Sequence, residues 1–210
     1  MTLTNKLNRI FIILFCFCST FVKAQEDEYI NWELVNSEDE IEVYTRTTAS
    51  SSVKQIRIVC LVKSSMETIT NFMLKASLYS SWVYKCDSSR LIKKVNNNEF
   101  SYYITLDFPF PFDDRDLYVK STNFIDPTTG IYYARSLKGE PESTQNDEYV
   151  HISEFESSWK ISPLGNGNLQ IEYKVLSNPG GEIPTWLVNL SITKGPTETM
   201  KQLIKMVEKE

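Results

Sequence analysis

Asn178-Pro-Gly-Gly-Glu-Ile-Pro184, and behind it Thr185-Trp-Leu-Val-Asn-Leu-Ser-Ile-Thr-Lys-Gly-Pro-Thr-Glu-Thr-Met-Lys-Gln-Leu-Ile-Lys-Met-Val-Glu208, decide the fold of this chain. The first four residues form a turn. Pro184 suits the first position of a helix, where its missing N–H has no partner to lose. Helix-compatible sequence then runs to the C-terminus, and Pro184 to Glu208 spans about 37 Å at 1.5 Å per residue. Gly195-Pro196 predicts a kink, because Pro196 cannot donate to the helical ladder. The apolar positions are Trp186, Leu187 and Leu190 before the kink, and Met200, Leu203, Ile204 and Val207 after it. Between them the same stripe carries Thr193 and Thr197. A helix lying directly on a sheet wants bulk along its whole stripe. This one leaves room for another molecule.

Working back from that stretch, Leu91 to Val175 reads as strands and turns. Gly165-Asn-Gly167 separates Trp159–Ile161 from Leu169–Val175, a good hairpin turn because Gly and Asn tolerate positive φ. Ile171, Tyr173 and Val175 alternate with Gln170, Glu172 and Lys174, the mark of a half-buried antiparallel strand. Pro127-Thr-Thr-Gly130 and Asn96-Asn-Asn98 each separate two further strands. His151 falls on a strand from Tyr149 to Phe155. Closer to the N-terminus, Ile41, Val43 and Tyr44-Thr45 suggest a strand after a turn at Ser37–Glu40. Ile56, Ile58, Cys60 and Val62 make one apolar face while Gln55 and Arg57 look the other way. Ser64 and Ser65 then open a helix with Glu67 in its first turn. Met66, Ile69, Phe72, Met73 and Ala76 give that helix one apolar side. Its end, Leu78 to Cys86, carries Tyr79, Trp82, Val83 and Tyr84, too aromatic for an ordinary solvated surface. The polar stretch Gly139 to Asp147 reads as a loop rather than a linker. With no internal repeat and no composition break, residues 25–210 are expected to form a single α+β domain.

The first 24 residues are read as a cleaved signal peptide. Lys6 and Arg9 precede an apolar run from Ile10 to Cys18, and Val22-Lys-Ala24 offers small residues at a cleavage site. The run is too short for a spanning helix, which needs about 20 apolar residues. The mature protein is therefore expected to start at Gln25 and to be exported, periplasmic in a Gram-negative host and otherwise secreted. Cleavage leaves 19 basic and 27 acidic residues, a net charge of −8. Such a balance argues against nucleic-acid binding, which rests on Lys and Arg neutralising phosphates. Two cysteines, Cys60 and Cys86, remain in the mature chain. Export permits a disulfide, but spacing alone leaves their pairing open.

One helix, a long antiparallel sheet and a long C-terminal helix, in that order, resemble the START domain (steroidogenic acute regulatory protein-related lipid transfer). The resemblance is carried by Phe108-Pro-Phe-Pro-Phe-Asp-Asp-Arg-Asp-Leu-Tyr118, by Asn178-Pro-Gly-Gly-Glu-Ile-Pro-Thr-Trp-Leu-Val-Asn189, and by Gly195-Pro-Thr-Glu-Thr-Met200, with the helix around Trp82 in keeping. It covers about Tyr29 to Glu208. It implies a helix-grip fold, a curved sheet wrapped around the C-terminal helix, enclosing an apolar tunnel for one lipid or similar molecule. Family members bind and carry sterols, phospholipids or ceramide. The expected function is therefore non-catalytic binding and transfer of a hydrophobic ligand by a monomer, with transient membrane contact. The alternative is an enzyme of the wider helix-grip superfamily, cyclase- or hydrolase-like. The family is best known from intracellular eukaryotic proteins, whereas this chain carries an export signal, and its members' ligand contacts vary too much to transfer by motif.

The residues expected to line the cavity are Trp82, Tyr103, Arg115, Tyr173, Trp186, Leu190, Thr193 and Thr197. Trp82 and Trp186 have a competing reading as core packing, since buried Trp is usually core. For Arg115 the competing reading is structural, in a loop with Asp113, Asp114 and Asp116, acids that beside a basic residue more often belong to a solvated or paired loop than to a cation site. No catalytic residue, metal ligand or cofactor is expected. His151 is the only histidine, so a His-based zinc site lacks its second ligand. No Gly-x-Ser-x-Gly occurs to supply a nucleophile for a triad. His151 therefore reads as an ordinary strand residue. Gly165-Asn-Gly167 lacks the longer pattern of a phosphate loop. Asn189-Leu-Ser191 matches a glycosylation sequon but falls on the expected helix.

Overall fold

A computed structural model describes residues 32–140 and 148–209. The signal-peptide reading, and all of the Gly139–Asp147 loop beyond Glu140, lie outside them. Alternation builds a ten-stranded sheet: β1 (Glu33–Glu38), β2 (Ile41–Thr48), β3 (Ser51–Lys63), β4 (Cys86–Lys94), β5 (Glu99–Leu106), β6 (Arg115–Ile125), β7 (Tyr132–Lys138), β8 (Val150–His151), β9 (Glu154–Gly165) and β10 (Asn168–Asn178). The order is β1-β2-β3-β10-β9-β7-β6-β5-β4, with β8 set beside β6. Early strands β1 to β3 thus close onto the last strand, β3 pairing β10 antiparallel from Ile56↔Val175 to Lys63↔Asn168. The turn residues do what their chemistry allows. Gly165, Asn166 and Gly167 all take positive φ between β9 and β10, and Ile56, Ile58, Cys60 and Val62 are all buried on one face of β3.

The helices lie against the concave face. Ser65 caps α1 (Met66–Leu74), its hydroxyl accepting from Thr68 N at 2.9 Å, which satisfies one of the orphan donors of a helix start. A 3-10 turn (Ala76–Leu78) leads into the short α2 (Tyr79–Trp82). At the C-terminus come α3 (Thr185–Ser191) and α4 (Lys194–Val207). Met200, Leu203 and Val207 of α4 join Ile58, Cys60 and Ile171 of the sheet in the main core. Val188 of α3 packs with Val53 and Leu176 in a second, smaller cluster.

Two expectations need correcting. The C-terminal helix is not one helix kinked at Gly195-Pro196 but two, separated at Ile192-Thr193. Pro196 falls within the first turn of α4, where backbone N–H groups have no helical partner anyway, so it starts the helix instead of bending it. The strand expected from Tyr149 to Phe155 is broken at Ile152-Ser153. β7 pairs β6 only from Val119 onward, so the free edge at Arg115-Asp116 is taken in parallel by Val150-His151. The chain then moves across to start β9. Cys60 and Cys86, whose pairing the spacing left open, are both free and buried. Burial pushes each thiol up to about 12.

Candidate functional site

Curvature of the sheet under α2, α3 and the start of α4 leaves a cavity of about 580 Å³. Binding sites for small molecules commonly run from about 300 to 1,000 Å³. Its wall is built in rungs, because antiparallel register places inward-facing residues of neighbouring strands opposite one another. One rung is Ser121, Ser136, Ser157 and Val175, from β6, β7, β9 and β10. The next rung inward is Asn123, Ala134, Trp159 and Tyr173. Beyond it Tyr132, Ile161 and Ile171 are buried core and close the floor.

Aromatic rings make up much of the wall. Trp159 stacks on Tyr173 with centroids 4.0 Å apart, and Trp82 meets Trp159 edge-on at 6.2 Å. Tyr79 stands edge-on to both Trp82 at 5.4 Å and Tyr102 at 4.9 Å. Burial raises the Tyr79, Tyr102 and Tyr173 hydroxyls well above the ordinary tyrosine range, so all three stay neutral. The charged lining residues, Lys85, Asp107 and Lys194, are exposed at the rim. Phe108, Pro109 and Phe112 of the β5–β6 connection and Ile183, Leu187 and Ile192 around α3 complete that rim.

Of the residues expected from the sequence, Trp82 and Tyr173 are on the cavity wall; the other six are not. Trp186 and Leu190 are 68% and 75% exposed. Ending α3 at Ser191 frees it to turn independently of α4, and it presents Leu187 and Val188 inward instead. Thr193 and Thr197 are half-buried at the head of α4, whereas Thr199 faces the cavity and accepts from Tyr84 N at 3.0 Å. Tyr103 is buried on the opposite face of β5, its ring against Tyr118; its neighbour Tyr102 faces in. A shift of one residue moves a strand side chain to the other face, and the run Tyr102-Tyr103-Ile104 hides which parity is inside.

Arg115 is 2% exposed and works as a brace. Nε donates to Pro179 O at 3.3 Å, Nη2 to Gly180 O at 3.4 Å, and Nη1 to Asp113 O. The guanidinium also lies over the Phe108 ring, 4.3 Å from its centroid. It therefore ties the Asn178–Gly181 turn to the connection before β6, the two loops flanking the rim. Gly180 permits a second close approach, to β8: at φ +68° a Cβ would sit 2.7 Å from His151 O. Asp116, 1% exposed, accepts from Tyr103 OH at 3.0 Å and pairs with His151 Nδ1. His151 thus has a carboxylate partner that its own strand did not reveal. This cluster is on the face of the sheet away from the cavity.

What sequence reading missed were Tyr79, Tyr102, Trp159 and the three serines. The serines had a signal: Ser121 is in phase with Leu117 and Val119, and Ser157 with Trp159 and Ile161. A polar residue on the buried parity of a strand needs a reason.

A curved sheet gripping a C-terminal helix over an apolar cavity defines a helix-grip ligand-binding domain. The chain belongs to the START domain family, whose model matches residues 15–210. It is 28% identical to an uncharacterised Pseudomonas aeruginosa protein over 180 residues, covering 85% of this chain and 88% of that one. It is 21% identical to bovine phosphatidylcholine transfer protein over 182 residues, 83% of each chain. The solved structure of a STAR-related lipid transfer protein from Xanthomonas axonopodis superposes with a TM-score of 0.78 at 22% identity, over 85% of this chain and 99% of that one. Human StAR-related lipid transfer protein 5 superposes with a TM-score of 0.77 at 12% identity, over 89% and 92%.

Proposed function

We propose that this protein binds one lipid or similar hydrophobic molecule in its cavity and carries it outside the cytoplasm, without chemically altering it. The observation that carries the reading is the cavity wall, mostly aromatic and aliphatic within, crossed by one row of uncharged polar side chains and charged only at its rim. General acid–base chemistry needs convergent titratable groups around the reacting atoms, and Lys85, Asp107 and Lys194 stand where solvent reaches them. Membership of a family of lipid-binding and transfer domains supports the same reading.

Cargo enters from a membrane, and the rim suits that contact. Phe110, Trp186 and Leu190 are 97%, 68% and 75% exposed, beside the rim residues Pro109 and Leu187. Aromatic and aliphatic side chains of this kind seat a protein at a lipid surface. The protein acts as a monomer, exported by its leader and beginning at Gln25.

Native mass spectrometry of protein purified from its own host tests the reading, with extraction of whatever travels with it. One apolar molecule per chain is expected, and N-terminal sequencing should begin at Gln25. A folded protein that is empty as purified and stays empty after incubation with phosphatidylcholine vesicles would overturn the binding role. An intact Met1 on soluble protein would overturn the export.

A further inference from the structure

Ser121, Ser136 and Ser157 stand opposite one another on three adjacent strands. All face the cavity and are 4–6% exposed. At about 4.8 Å between strands the row spans about 10 Å. Buried hydroxyls need partners, and here only part of the demand is met within the chain. Ser136 Oγ donates to Ser121 Oγ at 3.2 Å, and Asn123 Nδ2 donates to the same oxygen at 3.3 Å. Ser121 accepts twice and keeps its own proton uncommitted. Both Nδ2 protons of Asn123 are committed, the second to Asn98 O, and its Oδ1 accepts from Tyr132 OH. The Ser157 hydroxyl, on a residue 4% exposed, has no hydrogen-bond partner among the described residues. It faces the cavity void.

The charge environment narrows what completes this row. The charged lining residues are the three at the rim, so an ionised group beside the serines is desolvated with no counter-charge, which is costly. An uncharged hydroxyl or carbonyl meets the row's needs at no such penalty. We propose that the serine row is the polar subsite of the cavity, and that it takes an uncharged hydroxyl- or carbonyl-bearing lipid. The polar group sits two rungs above the closed floor, and the hydrocarbon runs outward past Tyr102 to Phe108 and Leu187. This assignment rests on the reading of the cavity as a lipid site and specifies the class of lipid.

Three probes of equal chain length test it: hexadecanol, palmitate at pH 8 and hexadecane, each delivered from phosphatidylcholine vesicles and read by native mass spectrometry. Wild-type protein is expected to load hexadecanol in preference to palmitate. Ser157→Ala should lower hexadecanol loading about fivefold, the size of one net hydrogen bond, and leave hexadecane loading unchanged. Ser157→Thr, which keeps the hydroxyl, should retain it. Melting temperatures confirm that each variant is folded, and Ser121→Ala supplies a second hydroxyl deletion. Preference for palmitate overturns the proposal, as does hexadecanol loading indifferent to the loss of both hydroxyls. Protein that loads phosphatidylcholine from the vesicles but none of the three probes overturns the subsite alone; if folded protein loads neither the probes nor phosphatidylcholine, the lipid-site reading itself falls, and the subsite with it.

Discussion

Trp159 and Tyr173 are register partners on β9 and β10, and their rings stack with planes 25° apart. The pair is both a cavity wall and a support for the sheet beneath it. Trp159→Ala removes the stacking and much of the ring burial, and is expected to destabilise the fold by about 3–5 kcal/mol. Tyr173→Phe keeps the ring and should lie within about 1 kcal/mol of wild type. Urea titrations at constant m-value check both. Equal losses in the two variants would show that the ring stack is not what matters.

Arg115 gives a sharper contrast. Arg115→Met leaves the carbonyls of Asp113, Pro179 and Gly180 without their donor, and about 3 kcal/mol or more of stability should be lost. Arg115→Lys should recover little, because an ammonium cannot reproduce the fork of a guanidinium. If Arg115 instead served a ligand head group, the Met variant would keep its urea midpoint and lose only lipid loading.

His151, an ordinary strand residue by its sequence, has a structural role through its pairing with Asp116. His151→Ala removes one partner from a buried carboxylate and is expected to cost about 1–3 kcal/mol of stability. Lipid loading should change by less than tenfold, about 1.4 kcal/mol, because the cluster is on the opposite face from the cavity. A larger loss of loading in folded protein would place His151 in the binding machinery.

Filling the cavity separates a ligand site from a loosely packed core. Ala134 lies on the inner rung between Asn123 and Trp159, so Ala134→Phe projects a ring into the void. Loss of bound lipid with little change in melting temperature is expected. In a filled core the same enlargement would cost about 1–3 kcal/mol, with no lipid to lose. Thr197→Trp, off the cavity wall, should leave loading intact.

Alkaline pH should weaken the fold. Cys60 and Cys86 are held up at about 12 by burial, against an ordinary 9. The unfolded thiols ionise first, so stability present below pH 9 falls as pH rises towards 12, by about 1.4 kcal/mol per thiol per pH unit. Chemical denaturation at pH 8, 9.5 and 11 measures the slope, and a Cys60→Ala, Cys86→Ala variant should show a shallower one. Tyr102, Tyr132 and Tyr173, also raised by burial, keep it from vanishing. Native protein should also resist iodoacetamide at neutral pH, since the thiolate is the reactive form.

By itself the sequence determined what neighbours along the chain control. The two-residue period of Ile56–Val62 and Ile171–Val175 built strands, Gly165-Asn166-Gly167 turned a hairpin, and Ser65 capped a helix. The motifs around Arg115 and Asn178–Pro184 identified the family. Tertiary structure decided what depends on residues far apart in the chain. Ser121, Ser136 and Ser157 become a row only through the registers of two separate strand pairings, and Asp116 meets His151 across 35 positions of sequence. Whether Tyr102 or Tyr103 faces inward depends on the parity its neighbouring strands impose. Trp186 and Leu190 face outward because α3 ends before α4 begins, so the two helices do not share one stripe. Local periodicity defines the faces of an element; which face meets the core, and what stands opposite it, depends on contacts that only the assembled sheet supplies.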